Sequence, residues 1–163
     1  MYDSSRRHRL SIRLRKYDYT WAGMYFVTVC THLRRCLFGE VMKGEMVLNE
    51  AGRLVEKSLL ALPERFSGVR IDTHVVMPNH VHALLAVTNF GPDAEALSLG
   101  KIVRFWKASS CRLVRSSADP CFGWQRNYYE RILRNEEESD GVRHYIAANP
   151  AAWDQDEENP ERR

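Results

Sequence analysis

Three features of the 163-residue chain predict an α+β fold of the ferredoxin-like, or RRM-like, class. Strand-like and helix-like segments follow one another in the order βαββαβ, which builds an antiparallel sheet with its two crossover helices on one face. One further helical segment follows the last strand, and only the other face of the sheet is left to receive it. A composition of 44% hydrophobic and 28% charged residues suits a single globular domain over residues 1–163.

The four strands are predicted from short runs that are rich in β-branched and aromatic residues. They cover residues 24–32, 69–76, 80–87 and 123–134. The turn between the second and third strands is Met77-Pro78-Asn79, and a glycine-marked turn within LFGEVMKGEMVLNEAG predicts a small hairpin after the first strand.

The helices are predicted from apolar residues at 3.6-residue spacing. The first helix begins at Asn49 and ends near Pro63, and the second covers residues 98–115. The last helix follows Asn135, which is placed to cap it, with Glu138 at the capping-box position and Pro150 at its end. The segment NFGPDAEA between the third strand and the second helix is a loop.

The charge is distributed unevenly along the chain. Residues 1–35 hold eight Arg and Lys against two Asp, whereas residues 136–163 hold nine acidic residues against three Arg. The basic arm, residues 1–20, is interleaved with Tyr17 and Tyr19 and predicts contact with a polyanion, although an arm without a specific role is the alternative. The acidic tail, residues 154–163, is expected to be a solvated and flexible end.

The sequence also excludes some classes of protein. No apolar run approaches the length of a membrane span, and the N-terminus lacks the apolar segment of a signal peptide. The four cysteines form no CxxC pair, so reduced thiols in a cytoplasmic protein are expected rather than disulfides or zinc.

The third strand carries a histidine pair, His80 and His82, within VVMPNHVHALL. Side chains alternate along a strand, so both histidines lie on the face opposite Val81 and Ala83. The aliphatic face suits the crossover helices, and the histidine face is left for the last helix. Two imidazoles at i and i+2 can bind one metal ion, although structural histidines are the alternative.

The last helix places two further polar groups toward that face. Its stripe of Val142, Tyr145, Ile146 and Asn149 follows the spacing i, i+3, i+4, i+7. Asn149 offers a carbonyl oxygen as a third metal ligand, and Tyr145 offers a phenol one turn away. The alternative is that Tyr145 is a core aromatic residue and Asn149 merely ends the helix.

These residues resemble those of a known family. MPNHVHALL resembles the histidine–hydrophobic–histidine (HUH) motif of the insertion sequence 200-like single-tyrosine transposases, and GWQRNYYERILRNEEE and YIAANPAAW resemble the REP-associated tyrosine transposases (RAYTs). The resemblance covers about residues 17–153. His80 and His82 match the metal-binding histidines, Tyr145 the nucleophile and Asn149 the third ligand, where relatives outside the RAYT branch usually have Gln.

The resemblance implies a metal-dependent DNA transposase with nuclease and strand-transferase activity. Such an enzyme binds REP-type hairpins and single-stranded DNA, uses Mg²⁺ or Mn²⁺, and cleaves through a 5′-phosphotyrosine intermediate before it rejoins DNA in transposition and recombination. A nucleoid-associated monomer or homodimer without membrane contact is expected. The alternatives are a non-catalytic nucleic-acid-binding module on an RRM-like sheet and a metal-dependent phosphodiesterase that uses water.

Basic and polar residues in three segments are the candidates for DNA contact. The candidates in the basic arm are Arg6, Arg7, Arg9, Arg13, Arg15 and Lys16. Those on the second crossover helix and the last strand are Lys101, Arg104, Lys107, Gln125, Arg126 and Arg131. A solvated helix face is the alternative for the helix residues, and pairing with the glutamates that follow is the alternative for the strand residues.

Overall fold

The computed structural model describes residues 22–88 and 97–162, and the basic arm and the NFGPDAEA loop lie outside the described residues. The strands are β1 (Gly23–Cys30), β2 (Gly39–Met42), β3 (Glu45–Leu48), β4 (Val69–Val76), β5 (His80–Val87) and β6 (Tyr129–Leu133). The helices are α1 (Glu50–Leu60), α2 (Leu62–Arg65), α3 (Leu99–Ser117) and α4 (Glu136–Ala148), with 3₁₀ turns at His32–Arg34 and Trp153–Gln155.

Four of the strands form the antiparallel sheet that carries the site. Their order is β4-β5-β1-β6, and β1 pairs with both β5 and β6. The predicted ferredoxin-like βαββαβ arrangement is confirmed, with β5 in a central position. The strands β2 and β3 form the predicted hairpin, whose two-residue turn places Lys43 and Gly44 at positive φ, the geometry that suits a twisted hairpin.

The sheet has a different neighbour on each face. The larger core packs α1 and α3 against one face, through residues such as Val81, Leu85, Val55 and Trp106. A smaller core packs α4 against the other face. Its buried members are Phe26, Leu84, Leu133, Val142 and Ile146. The alternation of β5 therefore sends Val81, Ala83, Leu85 and Val87 to the crossover helices, and it sends His80, His82 and Leu84 to the α4 side.

The helices α1 and α4 begin where the sequence predicts them to begin. The Asn49 side chain accepts a hydrogen bond from the Gly52 amide, and the Asn135 side chain accepts one from the Glu138 amide. Glu138 in turn accepts a hydrogen bond from the Arg134 amide at 3.2 Å, one residue before the cap. The bonds to Asn49 and Asn135 use amides that the first helical turn leaves without partners, so they fix where α1 and α4 begin.

The structure differs from two predictions about the chain's organisation. The last strand begins at Tyr129 rather than at residue 123, and before it only an isolated bridge joins Trp124 to Thr31. The acidic tail is predicted to be a solvated, flexible end, and most of its described residues are exposed, but Asp156 within it is buried and Arg34 contacts Glu158 at 2.9 Å. Among the described helices, none is long and apolar enough to cross a membrane.

Candidate functional site

The histidine pair lies buried at the start of β5. His80 is 0% exposed and His82 is 3% exposed, and both face α4. Their Nε2 atoms are 3.1 Å apart. This separation matches two nitrogens that bind one ion at about 2.1 Å and at nearly a right angle.

Asn79 fixes the orientation of His80. The Asn79 side-chain amide donates to the carbonyl oxygens of Arg34 and Glu158, at 3.1 and 2.7 Å. Its Oδ1 atom therefore faces the His80 ring and accepts a hydrogen bond from Nδ1 at 2.8 Å. With the proton on Nδ1, the Nε2 lone pair of His80 is directed into the site.

Thr28 plays the corresponding role for His82. This residue lies opposite His82 in the β1–β5 register, and its hydroxyl is 2.7 Å from His82 Nδ1. A proton on Nδ1 leaves the Nε2 of His82 as an acceptor, as for His80. Burial lowers the pKa of both imidazoles, although the Asp156 carboxylate opposes this for His80. Both rings are therefore neutral at neutral pH, the form in which histidine binds metal ions.

Helix α4 brings Tyr145 and Asn149 to the same place. The Tyr145 hydroxyl is 3.4 Å from His82 Nε2, and the two rings are 5.2 Å apart, edge to face. The Tyr145 side chain is half-exposed, whereas Asn149 is buried. The structure thus joins the four residues that the sequence predicts for the metal and the nucleophile.

Asp156 is the member of the site that the sequence prediction missed. The chain turns after α4 through Trp153–Gln155, which places the Asp156 carboxylate 3.9 Å from His80 Nε2. Asn149 Nδ2 donates to Asp156 Oδ2 at 2.9 Å, and the Glu158 amide donates to Oδ1 at 2.7 Å. The acidic composition of this segment indicated only solvation, because the contact depends on tertiary folding.

The arrangement suits a divalent cation. Nitrogen atoms of His80 and His82 and a carboxylate oxygen of Asp156 all lie within 4.8 Å of one another. Asn149 Oδ1 is also buried, and within the described part of the chain it accepts no hydrogen bond. An unsatisfied buried oxygen costs about 1–3 kcal/mol, and a cation would satisfy it. Imidazole nitrogens with carboxylate and amide oxygens are ligands that bind divalent metals.

The electrostatics of Tyr145 oppose ionisation in the absence of a cation. Burial raises the pKa of its phenol, and the carboxylates of Asp156, Glu157 and Glu158 raise it further. The Asn149 amide acts in the opposite direction and lowers it. A positive charge beside these carboxylates would offset their effect and favour the phenolate.

The candidates for DNA contact divide between two surfaces. Arg131 lies on the α4 side, where its guanidinium is 3.6 Å from Glu138 Oε2. Lys101, Arg104 and Lys107 lie on α3, on the other side of the sheet. The Lys107 ammonium donates to the carbonyl oxygens of Gln125 and Arg126, so it stabilises the segment before β6.

Gln125 and Arg126 do not lie on a strand, because β6 begins only at Tyr129. The Gln125 amide donates to the Cys30 carbonyl at the end of β1. The arm residues Arg6, Arg7, Arg9, Arg13, Arg15 and Lys16 lie outside the described residues.

The fold is shared with transposases of known structure. A REP-associated tyrosine transposase bound to a REP hairpin superimposes with a TM-score of 0.63 and 20% identity, over 86% of this chain and 73% of that chain. A proposed transposase from Deinococcus radiodurans superimposes with a TM-score of 0.54 and 19% identity, over 83% of this chain and 95% of that chain. The chain therefore has a transposase-like fold.

A curated protein is similar over nearly the full length. It is an uncharacterized protein of Haemophilus influenzae, 35% identical over 172 aligned positions that cover 96% of each chain. The chain belongs to the same family as this Haemophilus protein. No family model matches the sequence.

Proposed function

We propose that the protein is a metal-dependent single-strand DNA endonuclease and strand transferase of the RAYT type, and that it acts on REP-type hairpins. The observation that carries the proposal is the position of the Tyr145 hydroxyl, 3.4 Å from His82 in the candidate metal site. A phenol on a separate helix beside a candidate cation site suits nucleophilic attack on a phosphodiester. The fold it shares with a transposase bound to a REP hairpin supports DNA as the substrate.

The metal ligands proposed are His80, His82, Asp156 and Asn149. Bound Mg²⁺ or Mn²⁺ would supply Lewis acidity toward a phosphate oxygen and would offset the negative charge of the transition state. Asn79 and Thr28 hold the two imidazoles with Nε2 directed at the site, so the nitrogen ligands are oriented before an ion arrives.

Tyr145 is the proposed nucleophile. Its oxygen loses the phenolic proton and forms a bond to phosphorus, and the bond from phosphorus to the 3′ oxygen breaks. The upstream strand leaves with a 3′-hydroxyl, and the downstream strand stays on the protein as a 5′-phosphotyrosine. The phosphodiester energy is conserved in this ester, so a 3′-hydroxyl can attack it and rejoin the strands.

A labelled hairpin with single-stranded flanks tests the proposal. With Mn²⁺ or Mg²⁺, we expect a 3′-label to migrate with the protein in a denaturing gel and to be released by protease, while a 5′-label stays on a free fragment. Free 5′-phosphate products without an adduct would instead indicate a phosphodiesterase that uses water. Binding without cleavage would indicate a non-catalytic nucleic-acid-binding module.

A further inference from the structure

A cleft of about 420 Å³ lies between β6 and α4, directly beside Tyr145. It is lined by Phe26, Tyr129, Arg131, Glu138, Gly141, Val142 and Tyr145. This volume is at the small end of the roughly 300–1,000 Å³ that is typical of ligand sites. The cleft therefore suits one small group rather than a folded element.

Gly141 lines the cleft on its α4 side. It lies in the middle of α4, where glycine disfavours the helix relative to alanine. A Cβ atom at this position would meet no atom of the described chain within 4 Å, outside the backbone of its own helix turn and its neighbours. Close packing therefore does not explain the glycine, and a larger side chain at this cleft-lining position would have open space to enter.

The walls of the cleft present both aromatic rings and polar side chains. The side chains of Tyr129 and Tyr145 are 44% and 48% exposed, although aromatic rings usually bury most of their surface. Phe26 contacts both rings edge to face, at 6.4 and 6.0 Å between centroids, and so supports them from beneath. Arg131 and Glu138 add a hydrogen-bond donor and an acceptor at the rim.

We propose that this cleft binds one unpaired nucleobase of the DNA strand, beside the phosphate that Tyr145 attacks. The proposal rests on the proposed function and adds a specificity site to it. A nucleobase has a π-face for the tyrosine rings and a polar edge for Arg131 and Glu138, and the cleft carries both features. Because Tyr145 lines the cleft and also touches His82, a base held there belongs to a nucleotide next to the scissile phosphate.

Equilibrium binding in EDTA tests the subsite without any chemistry. The probe is a REP-type hairpin with single-stranded flanks, in which each flank nucleotide is replaced in turn by an abasic site. We expect one flank position to weaken binding by roughly tenfold or more when its base is removed, because stacking of a base on an aromatic residue has about that effect. If no flank position is sensitive, or if the hairpin does not bind, the proposal is overturned.

Two variants locate that base in the cleft. Tyr129→Ala removes an aromatic ring from the lining of the cleft, and Gly141→Leu adds bulk at a lining position. Both should weaken binding of the intact probe but not of the sensitive abasic probe. Phe105→Ala, an exposed aromatic residue on α3, and Ala147→Leu, an exposed position on α4, are the matched controls and should leave both affinities unchanged. Equal losses of affinity for the intact and abasic probes would overturn the assignment of the base to this cleft. Thermal melting would show that the variants are folded.

Single-turnover reactions with Mn²⁺ separate this proposal from the proposed function. Both proposals are supported if the intact probe forms an adduct and Gly141→Leu slows that reaction. The substitution should then leave the rate of adduct formation on the sensitive abasic probe unchanged. If no adduct forms but the abasic sensitivity and its dependence on Tyr129 remain, the nuclease proposal fails and the base subsite stands. If adducts form equally with all abasic probes and with Gly141→Leu, the subsite fails and the nuclease stands.

Discussion

The side-chain amide of Asn149 donates a 2.9 Å hydrogen bond to Asp156, and this bond joins α4 to the C-terminal segment. Because the amide nitrogen is used in this way, the amide oxygen of Asn149 is the free atom of the group, and it is buried beside His80. One contact thus sets the orientation of two proposed ligands. Replacing either residue tests whether the acidic segment belongs to the site.

Asp156→Asn removes a charge while it keeps the side-chain shape. We expect the affinity for Mn²⁺, measured by calorimetry, to fall by roughly tenfold or more, because an anionic oxygen near two neutral imidazoles is replaced by a neutral amide. Asn149→Ala should have a smaller effect, since water can take the place of its oxygen. Asp154→Asn, an exposed carboxylate two residues earlier, is the control. Unchanged affinity in Asp156→Asn would exclude this carboxylate as a ligand.

His80→Ala and His82→Ala test the nitrogen ligands. We expect either substitution to reduce metal-dependent cleavage by more than about 100-fold, because the imidazoles are the only nitrogen ligands proposed. Hairpin binding in EDTA should be nearly unchanged, since affinity for nucleic acid comes mainly from phosphate contacts. His144→Ala, an exposed histidine on α4, should cleave normally. Cleavage at the wild-type rate in either site variant would refute the metal site.

The sequence predicts the part of the site that lies on regular elements. Strand alternation places His80 and His82 together, and helical spacing places Tyr145 and Asn149 on one face, so local periodicity is sufficient for all four. Capping by Asn135 fixes where α4 begins and hence which residues face the sheet.

The contributions of irregular segments were not predictable in this way. Asp156 is held at the site by Asn149 and by the contacts of Asn79 and Arg34 with Glu158, and no periodic pattern encodes such contacts. The start of the last strand was also misplaced. The aromatic residues of the segment 123–134 predict one strand over the whole range, whereas Trp124 turns into the core near Trp106 and Phe122. The residues before Tyr129 include Gly123 and Asn127, which strands disfavour, so the segment 123–128 is a poor strand by composition as well.

The basic arm is predicted to hold DNA through phosphates. Replacing Arg6, Arg7, Arg9 and Arg13 together with Ala should weaken hairpin binding and reduce its salt dependence, by at most roughly 0.7 in log–log slope for each lost single-strand phosphate contact. Titrations between low and moderate salt measure that slope. The comparison variant replaces Lys101 and Arg104 on α3. A slope that changes only in the α3 variant would assign the phosphate contacts to that helix instead of the arm.

Arg143 joins α4 to β4 through Asp72, with hydrogen bonds of 2.8 and 3.0 Å, and it also contacts Glu136 and Asp140 on its own helix. The hydrogen bond from Arg143 lowers the pKa of the Asp72 carboxyl. The pair therefore stabilises the fold above the ordinary carboxyl pKa of about 3.9, and the contribution is lost as the pH falls through the lowered value.

Asp72→Asn tests this link between α4 and the sheet. We expect a decrease in Tm at pH 7 of no more than about 4 °C, because the pair is on the surface, and the difference from wild type should narrow as the pH is lowered toward 3. Asp154→Asn should melt like the wild type at both pH values. A Tm difference that stays constant from pH 7 to pH 3 would mean that the ion pair does not cause it.

Tyr145→Phe is the sharpest test of the nucleophile. The substitution keeps the ring beside His82 and Phe26 and removes only the hydroxyl, and the side chain is half-exposed, so stability should change by less than roughly 0.5 kcal/mol. Affinity for Mn²⁺ and for hairpin DNA should be unchanged. The covalent adduct should be absent, because no other atom of this residue can attack phosphorus.

The neighbouring tyrosines make the assignment of the nucleophile testable at the level of one residue. Tyr129 lies on the same side of the sheet as Tyr145 and contacts Phe26, whereas Tyr128 packs toward the larger core on the opposite face. Tyr128→Phe should therefore form the adduct at the wild-type rate and serves as the matched control. Peptide mass spectrometry of the trapped wild-type adduct should place the phosphotyrosine at Tyr145. A modified peptide that contains Tyr129 instead, together with full activity of Tyr145→Phe, would move the nucleophile from α4 to β6.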